Sequence, residues 1–261
     1  MNVLYIFRRF WVYAWLSYRA LFTWLNPWGY ISSRIAMPVM IALLFGSLGR
    51  YLGTGALRPA IGAAMLAVGI ATVYGINLAV ANERTFGTLG IWLLASQGLL
   101  PGLVGKSVVH VVDGILGAAL TFSTACLVFS VRFSGSAVPS LLCCAACAAV
   151  SSSGLGVAVA AASIRFHDVF TAPNVAESLL LVGSGAVVAP STLPAHIGAI
   201  GTVLPLTHAV YAAHAVLAGA GLPVFQLGCE LLIGTIWGTI GYGLLRWMTL
   251  RARSTGAYDV V

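Results

Sequence analysis

Charged residues are scarce in this chain. Only 7% of its 261 residues are charged, 60% are hydrophobic, and the mean hydropathy is +0.99. This composition excludes an ordinary soluble domain, which needs more polar surface. A helix needs about 20 residues to cross roughly 30 Å of hydrocarbon, and lipid offers no partner for an unpaired backbone amide. We therefore predict an all-α membrane protein.

Motifs for nucleotide binding and hydrolysis are absent as well. A phosphate loop requires GxxxxGK[ST], and Gly105, Lys106 and Ser107 match only its end, because Leu100 stands where the first glycine belongs. The chain also has no GxSxG, no HExxH and no DNA- or RNA-binding motif. It is therefore predicted to be no enzyme and to bind neither ATP nor nucleic acid. Lys106 is interpreted as a cytoplasmic anchor that snorkels at the end of a span.

Histidine and cysteine form no recognisable ligand pattern. The spacings of His196, His208 and His214 match no ordinary metal site. Three of the five cysteines lie in the apolar run 143–147, where they are interpreted as small packing residues. We therefore predict no metal site, and the cysteines indicate no redox compartment.

Six apolar segments are long enough to be predicted as membrane spans. Their approximate bounds are 29–50, 59–82, 105–131, 137–163, 174–190 and 222–248. Six spans place both termini on one side of the membrane. Small residues are frequent in the fourth and sixth spans, and Gly234 with Gly238 forms a GxxxG pair. Helix packing within one chain is the preferred interpretation of these residues, and a dimer interface is the alternative.

Lysine and arginine are distributed unevenly between the two ends of the spans. One end carries Arg8, Arg9, Arg19, Arg84, Lys106, Arg165, Arg246, Arg251 and Arg253, and the other carries Arg50, Arg58 and Arg132. The more basic end is predicted to be cytoplasmic, together with both termini. The formal net charge of +7 is therefore interpreted as topology and headgroup contact.

Residues 1–28 are predicted to form an amphipathic helix in the membrane interface. Arg8 and Arg19 lie about three turns apart on one helical face, among many aromatic residues that suit the headgroup region. Pro27 is expected to end this helix before the first span. A seventh span is the alternative, but it would bring Arg8 and Arg9 into the hydrocarbon.

Ionisable residues inside the predicted spans are candidates for function. Asp113 and His110 lie one helical turn apart in the third span, and Glu230 lies in the last span. They either line a polar substrate path or form hydrogen bonds within the bundle. If His110 and Asp113 relay protons, the chain is a proton-coupled secondary transporter.

The segment ERTFGTLGIWLLAS, Glu83 to Ser96, is too polar at its start for lipid and is predicted as a short cytoplasmic helix. It resembles the coupling segment of type 2 ABC exporter permeases, which also lies between the second and third of six spans. The resemblance continues in SIRFHDVF, with Arg165 and Asp168 where these permeases usually carry an Arg-Asp pair. It extends through the proline-rich segment that follows the fifth span. The matching positions there are Pro190, Pro194, Pro205, Leu206 and Thr207.

The resemblance implies that the whole chain, 1–261, is a single permease domain in a bacterial plasma (inner) membrane. It implies a second permease copy, as a homodimer or paralogous heterodimer, and two copies of a cytoplasmic ABC ATPase. ATP and Mg would be bound by that ATPase, and this chain would hold no cofactor. The implied cargo is a drug or natural product, hence a role in multidrug efflux and antibiotic resistance. Export of a lipid-linked glycan or polysaccharide is the alternative.

The resemblance also implies roles for individual residues. The cytoplasmic coupling helix, 83–97, would contact the ATPase through the charges of Glu83 and Arg84 and through apolar side chains, with Gly87 permitting a bend or a close approach. Capping and solvation of a loop helix are the alternative roles of the two charges. The region 191–221 would form short re-entrant helices that gate the exit. The coupling residues would be Glu83, Arg84, Phe86, Gly87, Thr88, Leu89, Trp92, Arg165 and Asp168, and the gate residues Pro190, Pro194, Pro205 and Thr207.

Overall fold

The structure is a computed structural model that describes residues 3–24, 26–94, 99–166, 168–188 and 194–255. The described part of the chain contains helices and no strand, which confirms the all-α prediction. In chain order, the helices are α1 (Val3–Trp24), α2 (Pro27–Tyr51), α3 (Leu57–Thr85), α4 (Leu89–Leu94), α5 (Leu100–Phe129), α6 (Ala137–Phe166), α7 (Thr171–Gly183), α8 (Ala195–Thr202), α9 (Thr207–Leu217) and α10 (Val224–Thr255).

Four of the described helices are long and apolar enough to cross a membrane: α3, α5, α6 and the Val224–Arg251 part of α10. They correspond to the second, third, fourth and sixth predicted spans. The other two predicted spans fall on α2, which has 25 residues, and on α7, which has 13. At 1.5 Å per residue, α7 is about 20 Å long and too short to cross the hydrocarbon alone. The total of six spans therefore stays a prediction.

The end of α7 departs from the predicted segment 174–190. The helix stops at Gly183, and Gly185 has a φ of 78°, a left-handed conformation that glycine adopts without a steric penalty. Bends continue through Val188. The prediction extended the helix too far because the segment stays apolar beyond the glycines at which the helix ends.

Helix α3 forms the centre of the bundle. It packs against α2, α5, α6, α7 and α9. Its residues are almost continuously buried from Ala60 to Ile70. A helix that is apolar around its whole circumference is suited to such a central position.

Small residues bring α6 and α10 into backbone contact. A Cβ atom added to Gly154 would lie 1.9 Å from the carbonyl oxygen of Gly234, and one added to Gly241 would lie 2.5 Å from the nitrogen of Ala158. Gly238 also faces Gly154, at 3.5 Å from a built Cβ to the Cα atom. The prediction that Gly234 and Gly238 pack within one chain is therefore confirmed.

Helix α1 packs beside the start of α5. A Cβ atom on Gly105 would lie 2.8 Å from the Cβ atom of Tyr13, and Ala14 and Ser17 are buried. Arg8 and Arg19 are exposed. Helix α1 ends at Trp24, before α2 begins at Pro27, as the proline predicted. The placement of α1 in the membrane interface stays a prediction.

Two short helices, α8 and α9, occupy most of the region predicted as re-entrant, and both precede α10. Helices α7 and α8 approach closely, because a Cβ atom on Gly201 would lie 2.3 Å from the carbonyl oxygen of Gly183. Pro194 directly precedes α8 and is exposed, whereas Pro205 is buried before α9. Pro190 lies outside the described residues. The depth of α8 and α9 in the membrane stays a prediction, as does the role of this region as an exit gate.

Candidate coupling site

The candidate coupling site lies at the end of the bundle where α3 and α6 end and α5 and α7 begin. We call this end the coupling end and define it as residues 83–94 and 164–170, without His167, which lies outside the described residues. It contains two turns, one between α3 and α4 and one between α6 and α7. The following contacts hold these turns in place.

Glu83 lies in the last turn of α3 and forms an ion pair with Lys106 of α5. The other carboxylate oxygen of Glu83 accepts a hydrogen bond from the Thr88 hydroxyl. Lys106 Nζ also donates to the Ala79 carbonyl at 2.7 Å and lies 5.6 Å from the centroid of the Trp92 ring. One network thus links α3, α4, α5 and the turn at Thr88.

The interpretation of Lys106 as a snorkelling anchor is wrong. Only 7% of the residue is exposed, and its ammonium group faces Glu83 inside the bundle. The two residues are 23 positions apart, so helical spacing could not reveal the pair. Lys106 is therefore part of the site that the sequence placed around Glu83.

Arg84 joins the ends of α3 and α6. Its Nη1 atom donates a hydrogen bond to the Ile164 carbonyl at 2.7 Å. Ile164 lies in the last turn of α6, where carbonyl groups have no partner within the helix and the helix dipole favours a cation. Glu83 and Arg84 therefore contact neighbouring helices within the chain. The docking role of their charges stays a prediction.

The turn after α3 replaces much of the predicted coupling helix. Helix α3 continues through Thr85, Gly87 follows with a φ of 68°, and α4 covers Leu89–Leu94. Leu89 and Trp92 are buried, whereas 47% of Phe86 and 74% of Ile91 is exposed. Of the apolar residues predicted to contact an ATPase, only Phe86 lies at the surface, and the prediction missed Ile91. Residues 95–98 of the predicted helix lie outside the described part of the chain.

The turn before α7 is organised by Asp168. Its Oδ2 atom accepts a hydrogen bond from the Thr171 hydroxyl, and its Oδ1 atom accepts one from the Phe170 amide at 2.8 Å. These bonds, first from Thr171 and then from Phe170, hold the pKa of Asp168 below its usual value. Asp168 thus fixes the start of α7, and Arg165 lies exposed at the end of α6.

Asn77 connects this second turn to the bundle core. Its Nδ2 atom donates to the Val169 carbonyl at 2.7 Å, and its Oδ1 atom accepts from the Ser163 hydroxyl at 2.7 Å. Asn77 and Ser163 are buried, so both polar groups need these partners. The sequence analysis missed both residues, because no motif distinguishes them in an apolar helix.

Among the side chains that the structure describes at the coupling end, four large apolar ones are exposed. Exposure is 73% for Phe166 and 49% for Phe170, and Phe86, after the end of α3, and Ile91, in α4, are exposed as well. We call these four residues the docking face. The contacts of Arg84 and Asn77 attach the segments that carry this face to α3 and α6.

The cluster of ionisable residues at α5 contains one residue more than predicted, Arg34 of α2. Asp113 Oδ2 lies 3.3 Å from Arg34 Nη2 of α2 and 3.7 Å from His110 Nδ1. His110 is fully buried against α3, where a Cβ atom on Gly75 would lie 2.2 Å from its Nδ1 atom. The sequence analysis missed Arg34, although an arginine in a predicted span is itself a signal that a partner exists. The ion pair links α2 to α5.

Glu230 binds the start of α9. Its Oε1 atom accepts a hydrogen bond from the Leu206 amide at 2.7 Å, and its Oε2 atom accepts from the His208 and Ala209 amides at 3.1 Å each. Leu206 has a left-handed φ of 77°, and Thr207 donates to the Gly201 carbonyl at 2.6 Å. Of the two roles left open by the sequence, the structure places Glu230 in the buried hydrogen-bonded one.

The four described helices that are long and apolar enough to cross a membrane indicate a multi-pass membrane protein. Residues 12–218 match the model of a protein family described as ABC-2 type transporter. This match covers most of the chain, which therefore belongs to the ABC-2 type transporter family. The chain is thus the transmembrane component of an ABC exporter, a component without its own ATPase site that partners with a cytoplasmic ABC ATPase. No curated protein matches the chain.

Proposed function

We propose that this chain exports amphiphilic or hydrophobic compounds, drugs or natural products, as a permease dimer with two cytoplasmic ATPase subunits. The observation that carries the proposal is the docking face on two turns clamped to the ends of α3 and α6. Exposed aromatic residues are frequent anchors in protein interfaces. Phe86, Phe166 and Phe170 supply such anchors, and Ile91 adds an aliphatic one.

Coupling requires that a push on the docking face reaches the spans as a movement of whole helices. The Arg84 contact joins α3 to α6, and the Glu83–Lys106 pair joins α3 to α5. Helices linked in this way shift as packed rigid elements when a domain closes against them. ATPase closure at the docking face would therefore tilt α3, α5 and α6 together.

The proposed cargo class is supported by the surface chemistry of the spans. A groove of about 740 Å³ lies between α5, α6 and α10. Its walls are apolar, with hydroxyl groups from Ser107, Ser153, Thr235, Thr239 and Tyr242 and no charged side chain. Such surfaces suit compounds that carry an apolar body with a few hydrogen-bonding groups. Lipid-linked glycans remain the alternative cargo.

The docking face predicts a defect in ATPase association without a defect in folding. Replacing Ile91 and Phe166 together with alanine removes two exposed anchors, so membrane abundance should stay normal. Each anchor typically contributes about 2 kcal/mol in an interface, and we expect association to weaken at least about tenfold. Co-purification of a candidate ABC ATPase from membranes measures this change. Tyr51→Ala is the control, because Tyr51 is 88% exposed at the opposite end. Normal ATPase association of the double variant contradicts the docking face.

The energy source distinguishes an exporter from a secondary transporter. Proteoliposomes that contain the chain and its ATPase should move amphiphilic dyes only when ATP is present. Asp113→Asn should not remove the requirement for ATP, because the proposed transport does not depend on a His110–Asp113 proton relay. Uptake driven by a proton gradient alone would support the secondary transporter.

Deletion of the chain distinguishes the two proposed cargo classes. Loss of a surface glycan on deletion, with unchanged drug susceptibility, would favour the glycan as cargo.

A further inference from the structure

A second cavity lies at the end of the bundle opposite the coupling end. Its volume is about 420 Å³, and it is enclosed by the end of α2, the start of α3, α9 and residues 184–187. Phe45 and Leu48 of α2 form part of an apolar wall. Arg58 of α3 and His214 of α9 line the polar side of the cavity. The cavity is therefore apolar on one side and cationic on the other.

The positive charge of this cavity comes from Arg58, which is exposed to solvent and has no acidic partner among the described lining residues. None of the residues that line it is acidic, and no ion pair within the described residues involves Arg58. The acidic side chain in α10, Glu230, is already bound to three backbone amides of the α9 start. A cation beside an apolar wall without an acidic partner favours an anion from outside the chain.

The backbone adds one further feature that suits an anion, and the burial of one ring nitrogen of His214 limits which nitrogen the anion reaches. Helix α3 begins at Leu57 without a side-chain cap, and the amides of Leu57 and Arg58 lie in its first turn beside the cavity lining, whereas Pro59 has no N–H. His214 Nδ1 is buried and has no hydrogen-bond partner among the described residues. Burial, together with the Arg58 charge, lowers the pKa of His214. An added anion would offset the charge of Arg58.

We propose that this cavity binds an anionic amphiphile, whose phosphate or carboxylate head contacts Arg58 and His214 Nε2 while its apolar tail lies against Phe45 and Leu48. Nε2 is assigned because Nδ1 is closed off from solvent. The shared chemistry fits the head of an acidic lipid or a soluble amphiphile with the same head. This site does not depend on the proposed cargo or on ATPase coupling.

Binding of decyl phosphate to the chain in phosphatidylcholine nanodiscs tests the proposal by calorimetry. We expect Arg58→Gln to weaken binding about tenfold or more, because a hydrogen bond to a charged group is lost, and His214→Gln to weaken it less. Arg132→Gln is the matched control, since it removes an exposed cation that does not line the cavity. Decanol and inorganic phosphate should each bind more weakly than decyl phosphate.

Three results would overturn the proposal: equal affinity of Arg58→Gln and the unchanged chain, an equal loss in Arg132→Gln, or equal affinity for inorganic phosphate and decyl phosphate. Nanodiscs that contain phosphatidylglycerol separate the sources of the anion. If phosphatidylglycerol weakens the binding of decyl phosphate, the site takes an acidic lipid. If decyl phosphate binds equally well in these nanodiscs, the site takes a soluble amphiphile. ATPase association of Arg58→Gln should be normal, so a failure here is distinct from a failure of the exporter function.

Discussion

Glu230→Leu is expected to remove most of the folded protein from the membrane. The substitution leaves the buried amides of Leu206 and Ala209 and the half-buried amide of His208 without their acceptor. Each unsatisfied buried donor costs about 1 to 3 kcal/mol. The two buried donors together cost roughly 2 to 6 kcal/mol, a large part of the about 5 to 15 kcal/mol that typically stabilises a folded protein. Membrane abundance and thermal stability, followed by size-exclusion chromatography, measure the loss.

Two further variants separate the role of Glu230 from a general effect on α10. Glu230→Gln keeps one acceptor oxygen and should destabilise the protein less than leucine does. Thr235→Leu is the control for stability alone, because Thr235 is exposed on the same helix and its hydroxyl donates to the Leu231 carbonyl. Normal stability of Glu230→Leu would show that the carboxylate does not hold α9. Lost transport with unchanged stability in Glu230→Gln would return Glu230 to a substrate path.

The sequence predicted best what depends on composition along one helix. Helices α3, α5, α6 and α10 lie close to their predicted bounds, because a membrane span requires a long apolar run that is visible locally. The GxxxG pair was also interpreted correctly, since small residues have few uses in a span besides close packing. The α7 segment misled because its apolar composition continues past the glycines that end the helix.

The contacts between helices could not be predicted in the same way. Lys106 and Glu83 come from different helices, as do Arg34 and Asp113, and no spacing rule links them. Glu230 binds backbone amides, which are present at every residue and leave no signal in the sequence. The coupling segment was located by its charges, but its exposed residues depend on how α4 folds back onto Lys106. Ile91 was therefore missed beside the buried Trp92.

Lys106→Met is expected to destabilise the coupling end and to uncouple transport from ATP hydrolysis. It leaves the Glu83 carboxylate, whose side chain is only 21% exposed, without its cation. Breaking a buried ion pair by removing one partner typically costs about 3 to 5 kcal/mol, whereas replacing both partners by apolar groups can be neutral. A snorkelling lysine would have predicted a mild effect, because its ammonium group would lie in the headgroup region.

A double-mutant cycle makes this prediction specific to the pair. Lys106→Met and Glu83→Met should each lower thermal stability, and the double variant should recover much of the loss, with an interaction energy of about 1 kcal/mol or more. Arg246→Gln is the control, since Arg246 is an exposed cation in the second half of α10 and belongs to neither partner of the pair. Additive losses would show that the ion pair does not link α3 to α5. If the double variant is stable and binds its ATPase but transports poorly, the charges themselves transmit the movement of the docking face, and packing alone does not replace them.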